Sequence, residues 1–370
     1  MTAREEAGPI LKISDLRVTF HTYAGDVKAL NGVDLTVRKG EVLGLVGESG
    51  CGKSVTSLAV AGLLPPNAEL ESGTITLAGA DILKMSREEI RQKRLTDIAM
   101  VFQDPMTYLN PVLTVGSQLL EIITQEPKLF LPALVRHRLE EIGPEGKEAP
   151  ALAAERERLL SISRGGRPGR KEVERLARQY VVSTLRQVRL PDPEKVLDMY
   201  PFELSGGMRQ RVMIAMALVR RPKLLLADEM TTALDVTVQA QILQLLRELR
   251  KEIDASIVLI THDLAVVAEV CDRVAVMYAG NIVELAGVEE LYSDPLHPYT
   301  KGLLASIPRV DSARTRQVSI GGSVPNLLFP PSGCRFHPRC PKAFGKCPQV
   351  KPPLVEVKPG HLVACLLYEE

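Results

Sequence analysis

Gly47-Glu48-Ser49-Gly50-Cys51-Gly52-Lys53-Ser54 matches the phosphate-cradling loop pattern at every required position. The apolar run 43–46 before it reads as a buried strand. Residues 55–64 after it, opening on Val55, read as a helix, so strand, loop and helix come in the order the chemistry needs. The glycines let backbone N–H groups turn inward around phosphates, and the helix N-terminus adds partial positive charge. Lys53 reaches the β- and γ-phosphates, and Ser54 is placed to ligate Mg²⁺. The competing reading is a glycine-rich turn that fits by chance, and the flanking strand and helix weigh against it. The loop implies a bound nucleotide and leaves reaction and partner open.

Upstream, alternation at Leu16, Val18 and Phe20 and again at Val33, Leu35 and Val37 predicts strands, with turns at Gly25 and at Asn31-Gly32. An antiparallel sheet therefore precedes the loop. Tyr23 lies about thirty residues before Lys53, where an aromatic ring can stack on a base; Phe20 and His21 compete for that role, and packing is the other use of such a ring.

Downstream, the run 98–102 ends at Gln103, whose neutral amide can ligate Mg²⁺ and orient a water, although a lone glutamine at a strand end is usually solvated. Residues 126–178 are dense in both charge signs, with a basic run 164–170 that suits a solvated linker better than a lipid or RNA contact. Ser205 then caps an apolar helix reaching about Val219, and Gly206 and Gly207 leave its first N–H groups uncovered, which makes a second anion-seeking helix end. The strand 224–227 delivers Asp228, suited to the Mg²⁺ shell, and Glu229, placed to polarise an attacking water. Asp235 opens an amphipathic helix. The strand 257–260 ends near His262, which can bond a γ-phosphate oxygen but could equally be structural. Residues 274–284 form a closing hairpin.

Composition bounds the rest. The 370 residues allow one large domain and a smaller one, and 46 Lys plus Arg against 45 Asp plus Glu give a net charge of +1, so nothing calls for nucleic acid. The first nine residues carry early charges and no apolar core, unlike a secretory leader, and no apolar run reaches the roughly 20 residues that span a bilayer. The expected location is cytoplasmic, with any membrane role peripheral.

Taken together, the loop, Gln103, residues 204–210, Asp228-Glu229, Ala233-Leu234-Asp235 and His262 resemble the ordered motif set of the ABC ATPases. The resemblance implies an α/β P-loop fold with a mixed-sheet core, an antiparallel β subdomain and a helical subdomain. It implies domains at 1–290 and 291–370, with the helical part at about 104–220 and an insertion at about 126–178. It also implies that two ATPase subunits pair head to tail and sandwich ATP between the loop of one and Ser205, Gly206 and Gly207 of the other. Glu229 would be the general base, His262 the γ-phosphate sensor, and Gln103 the link from the Mg²⁺ site to a membrane partner.

The sequences 103–111, 205–217 and His297-Pro298-Tyr299 are similar to the peptide/nickel importer branch, and to its dipeptide and oligopeptide ATPases with a cysteine-rich C-terminal extension. That similarity implies two membrane permeases, a second non-identical ATPase, an external substrate-binding protein, and a place on the cytoplasmic face of the membrane. A nickel or other small-solute importer is the alternative cargo reading, and a soluble ABC ATPase acting on nucleic acid the alternative class. Three features depart from the branch: Tyr108 for its usual serine, Met230 for its usual proline, and the long insertion.

Cys334, Cys340, Cys347 and Cys365 are separated by five, six and seventeen intervening residues, without the close pairs of common zinc modules. Four thiolates suffice for an iron-sulfur cluster, whose charge Arg335, Arg339, Lys342 and Lys346 would offset. The branch resembled includes members with a [4Fe-4S] cluster at cysteines of this arrangement; zinc, and free thiols or disulfides, remain the alternatives. The role would be a structural staple for an irregular, proline-rich, metal-binding extension.

Overall fold

The computed structural model describes residues 8–102, 105–143, 150–230, 235–252, 255–306 and 320–369. They fall into two compact units, the first made of 1–100, 223–232 and 246–370, the second of 101–222 and 233–245.

In the first unit, β1 (Leu11–Thr22) and β2 (Gly25–Val37) form an antiparallel pair turning at Tyr23-Ala24. Their inward residues, among them Leu11, Ile13, Leu16, Val18, Val33, Leu35 and Val37, are at most 3% exposed. The turn expected at Asn31-Gly32 does not occur. β2 runs through it, and the register jumps there: Leu16 faces Val33 while Arg17 faces Asn31. Gly32, at φ +75°, absorbs the extra residue as a bulge, the other structural use of a glycine inside a strand pattern.

β3 (Val42–Val46) leaves for a second sheet, while β4 (Ala68–Leu77) and β5 (Ala80–Asp81) return to the first, in the order β2-β1-β4-β5. The remaining strands are β6 (Ile98–Val101), β7 (Leu224–Asp228), β8 (Ser256–Thr261), β9 (Arg273–Tyr278), β10 (Asn281–Gly287), β11 (Val355–Lys358) and β12 (His361–Val363). They give the order β11-β12-β10-β9-β3-β8-β7-β6. β3 lies parallel to β8 and β9, and β7 parallel to β8; along β9, β10, β12 and β11 each strand is antiparallel to its neighbour, so the sheet is mixed. Every residue of β3, β7 and β8 is buried, which is why each reads as an unbroken apolar run rather than an alternation.

The C-terminal segment is less irregular than its prolines suggest, since β11 and β12 extend this sheet beyond the β9–β10 hairpin. β12 brings His361 against Glu284 of β10: the imidazole Nε2 stands 2.8 Å from a carboxylate oxygen, with both side chains at most 1% exposed. The same carboxylate accepts the N–H groups of Leu296 and His297 at 2.7 and 2.9 Å, so this buried charge is fully engaged.

The second unit is helical. Helices Val115–Thr124 and Pro127–Ile142 pack on Arg170–Gln187, and Pro150–Ser163 packs on Pro127–Ile142. Its core holds Leu119, Ile123, Leu134, Leu176, Val181 and Leu185. The stretch read as a solvated linker is mostly helix knit by ion pairs. Glu155 accepts from Arg138 and Arg175, and the Arg138 guanidinium above all pulls its carboxyl down to about 2. Arg158 pairs with Glu172 across the turn that carries the basic run. Tyr108 stacks on Phe102 with ring centroids 4.1 Å apart. Among the described residues no helix is long and apolar enough to cross a membrane.

Candidate active site

Parallel pairing of β3, β7 and β8 brings three strand ends together, with Val46 level with Thr261 and Asp228 with Ile260. The residues just beyond are therefore neighbours: Gly47 after β3, Glu229 after β7, His262 after β8. Such carboxyl ends of parallel strands are where open α/β sheets gather their ligand groups.

Gly47 sits at φ +155°, and a Cβ there would lie 2.1 Å from the Met277 carbonyl oxygen, so only glycine fits against β9. The helix Lys53–Ala61 starts behind Gly52 with no side-chain cap, which leaves its leading N–H groups pointing into the loop. Lys53 is 5% exposed, and its ammonium donates to the carbonyls of Gly47 and Glu48 at 2.8 and 3.1 Å. An uncapped helix start, a buried ammonium and a close-packed glycine fit the phosphates of a nucleotide.

Ser54 Oγ donates to Asp228 Oδ1 at 3.1 Å. Burial raises the Asp228 pKa and the Glu229 charge adds to that, while Ser54 and Lys53 oppose it. A hydroxyl and a carboxylate in contact are a hard-oxygen donor pair that fits Mg²⁺. His262 Nδ1 stands 3.4 Å from Glu229 Oε1. Glu229 holds φ +46°, a left-handed backbone that costs a side-chain-bearing residue roughly 1–2 kcal/mol, and its N–H is fixed on the Ile260 carbonyl at 2.9 Å. Met230 behind it is 2% exposed, so the residue in the usual proline position serves as core.

Of the three aromatic candidates upstream, Phe20 packs against the core, and His21 lies between Asp26 and Glu69, which hold its pKa up, Asp26 most. Tyr23 is fully exposed at the β1–β2 turn. Gln103, Ala233 and Leu234 lie outside the described residues. In the second unit, Ser205 Oγ accepts the Met208 N–H at 3.3 Å and caps helix Gly206–Leu218, as the sequence predicts, with open space beside Gly206. Asp235 likewise accepts the Val238 N–H at 2.9 Å at the start of helix Val236–Glu252.

The tail cysteines converge only in part. All are free thiols. Burial pushes Cys334 up to about 11, and the charges of Cys365, Cys347 and Cys340 add to that shift. Yet among the described residues no three Cys, His, Asp or Glu side chains stand where they could hold a metal ion, so the expected iron-sulfur or zinc ligand set is not formed. Three of the four cations read as offsetting a cluster's charge are engaged elsewhere: Arg335 donates to the Lys28 and Ala279 carbonyls, Arg339 to Glu48, and Lys346 to Glu369, while Lys342 stays beside Cys340 and its charge opposes the upward shift of that thiol. Arg339, together with Tyr299 whose hydroxyl accepts the Glu48 N–H at 3.0 Å, is what the sequence reading missed at the loop. The one available signal was an arginine beside a cysteine in a segment singled out for another reason.

Comparison with known proteins agrees with this geometry. The family model described as "ABC transporter" matches residues 30–232, and that described as "Oligopeptide/dipeptide transporter, C-terminal region" matches 283–347. The chain is 44% identical over 362 residues to the dipeptide transport ATP-binding protein DppD of Bacillus subtilis, covering 98% of this chain and 95% of that one. It is 44% identical over 363 residues to the oligopeptide transport ATP-binding protein OppD of Escherichia coli, covering 98% and 94%. Among solved structures, cbiO1 of Clostridium perfringens, part of the ABC transporter complex cbiONQ, superposes with a TM-score of 0.56 at 26% identity, over 78% of this chain and 92% of that one. The ADP- and phosphate-bound dimer of the ATP-binding cassette MJ0796 shares the fold with a TM-score of 0.55 at 24% identity, over 75% and 98%. The chain belongs to the ABC transporter ATPases, and within them to the oligopeptide and dipeptide transport ATP-binding proteins.

Proposed function

We propose that this chain binds ATP on residues 47–55 and hydrolyses it to drive the uptake of di- or oligopeptides, with Glu229 as general base. The observation that carries the reading is the meeting of Lys53, Ser54, Asp228, Glu229 and His262 at the ends of three parallel strands. The loop N–H groups and Lys53 hold the phosphates. Ser54 and Asp228, with Gln103, would hold Mg²⁺, which neutralises phosphate charge when bound. Glu229, aimed by its left-handed backbone, takes the proton of the attacking water, and His262 bonds the γ-phosphate beside it. Catalysis thus rests on positioning and charge stabilisation, with no covalent intermediate. Tyr23, with its ring exposed, stacks on the adenine.

The open first turn behind Ser205, with Gly206 and Gly207, serves the nucleotide of a paired ATPase, in keeping with the dimer formed by the MJ0796 cassette. In this reading the chain sits peripherally on the cytoplasmic face, works with two permeases and a second, non-identical ATPase, and receives substrate from an external binding protein. The names of its relatives and the matched C-terminal region support peptide as the cargo. In the purified transporter, Glu229→Gln should lower ATP turnover by at least about 10²-fold while ATP stays bound. Undiminished turnover would refute the assignment.

A second reading concerns the tail. Cys340, Cys347 and Cys365 lie close enough to Cys334 for their charges to act on its thiol, which favours a shared [4Fe-4S] centre, with zinc as runner-up, although among the described residues no metal-ligand set is formed. The visible absorption spectrum and metal content of anaerobically purified protein decide between them.

A further inference from the structure

Glu48, the second residue of the phosphate loop, is held from two sides by the C-terminal segment. Both terminal nitrogens of Arg339 donate to its carboxylate, at 2.7 and 3.0 Å, a bidentate pair. Its backbone N–H donates to the Tyr299 hydroxyl at 3.0 Å.

Neither partner is a loose surface group. The Arg339 side chain is 6% exposed, its Nε donates to the Gly321 carbonyl at 2.9 Å, and its guanidinium lies 5.7 Å from the centre of the Tyr278 ring. Tyr299 is fully buried, with its ring 4.6 Å from that of Tyr278 and 5.4 Å from that of Phe336. Tyr299 is placed in turn by His297, whose Nδ1 accepts its N–H at 3.0 Å, and His297 is placed by the buried Glu284. The motif His297-Pro298-Tyr299, otherwise without a task, thereby ends on the phosphate loop.

We propose that Arg339 and Tyr299 are positioning residues for the phosphate loop, so that the affinity for nucleotide is set from the cysteine-bearing C-terminal segment. The inference rests on the reading of residues 47–55 as the ATP site. Two physical effects give it a sign. The carbonyls of Gly47 and Glu48 fix the Lys53 ammonium, so a shift of Glu48 moves the cation that meets the phosphates. A Glu48 carboxylate stripped of Arg339 would also stand as an uncompensated anion beside an anionic ligand. Removing the arginine alone should therefore do more harm than removing both charges.

The test is Mg-ATP affinity of the full-length chain by calorimetry, with nucleotide-free melting temperature and the ATP dependence of the assembled transporter measured alongside. Arg339→Gln should weaken binding roughly tenfold, and Glu48→Gln/Arg339→Gln should recover most of that loss. KM for ATP should rise with kcat unchanged. Tyr299→Phe, which removes one hydroxyl, should weaken binding in the same direction and serves should Arg339→Gln not fold. A lowered melting temperature with unchanged affinity, or no recovery in the double variant, overturns the inference and leaves Arg339 a structural tie. Lys53→Ala separates the two levels. If it abolishes binding while Arg339→Gln leaves the affinity unchanged, this inference alone fails; if it too binds normally, the site reading fails.

Discussion

His297 shows how far burial alone can set a residue's chemistry. Its ring is 1% exposed, and desolvation pushes its pKa from 6.5 down to about 3, so the imidazole stays neutral and its Nδ1 remains free to accept the Tyr299 N–H. A folded-state pKa below the unfolded one means stability is complete above about pH 6.5 and declines as pH falls toward 3. Between pH 7 and pH 5 this one residue should remove about 2 kcal/mol. His297→Asn keeps an acceptor at the helix start and cannot titrate, so its unfolding free energy in urea should vary less over that interval. An equal pH slope in both proteins would exclude His297 as the cause. At this scale the sequence was informative wherever chemistry and spacing coincide, as at Lys53, Ser54, Asp228 and Glu229. It was mute on Glu48, because a carboxylate inside a loop pattern carries no mark of the arginine that holds it.

Among elements, the strand, loop and helix around Gly47 were legible because an unbroken apolar run can be only a buried strand or a buried helix, and the loop pattern decides which. Asn31-Gly32 misled because the same dipeptide serves a turn and a bulge, and only the pairing of Leu16 with Val33 distinguishes them. β11 and β12 went unseen. Four and three residues are too few to display an alternation, and β10, on which β12 pairs, is supplied by another part of the chain. These short strands nonetheless cover the sheet edge at β10 and close the ring of donors around Glu284. A chain ending at residue 350 should expose that edge and leave the carboxylate short of a partner, at about 3–5 kcal/mol. Lower melting temperature and rising light scattering are the expected signs; wild-type melting would show the strands to be dispensable.

For the whole molecule, the order of motifs along the chain identified the family before any fold was in view, because no single motif is as specific as the series. Two aspects lay beyond it. The charged stretch read as linker is a helical layer held by Glu155 and its arginines, since a dense mixture of charges looks alike whether solvated or paired. The contact between Arg339 and Glu48 spans 291 positions, a separation at which local pattern carries no information. The proposed pairing of two ATPases has its own test. With Mg-ATP, the Glu229→Gln chain and its partner ATPase should co-elute as a pair in size-exclusion chromatography, and Ser205→Ala should weaken that pairing. The lost cap costs about 1 kcal/mol by itself, so melting must be compared too. Pairing that ignores both nucleotide and Ser205 would count against the arrangement.

The larger sheet is assembled out of chain order. β3 appears early in synthesis, while β7, β8 and β9 come only after the helical unit, and β12 later still. During translation the apolar residues of β3 have no lateral neighbour until most of the polypeptide has emerged, and non-local pairing of this kind closes slowly. Nascent chains should therefore depend on chaperone shelter until residues 273–287 are free, and refolding from denaturant should be limited by the capture of β3 between β8 and β9 rather than by helix formation.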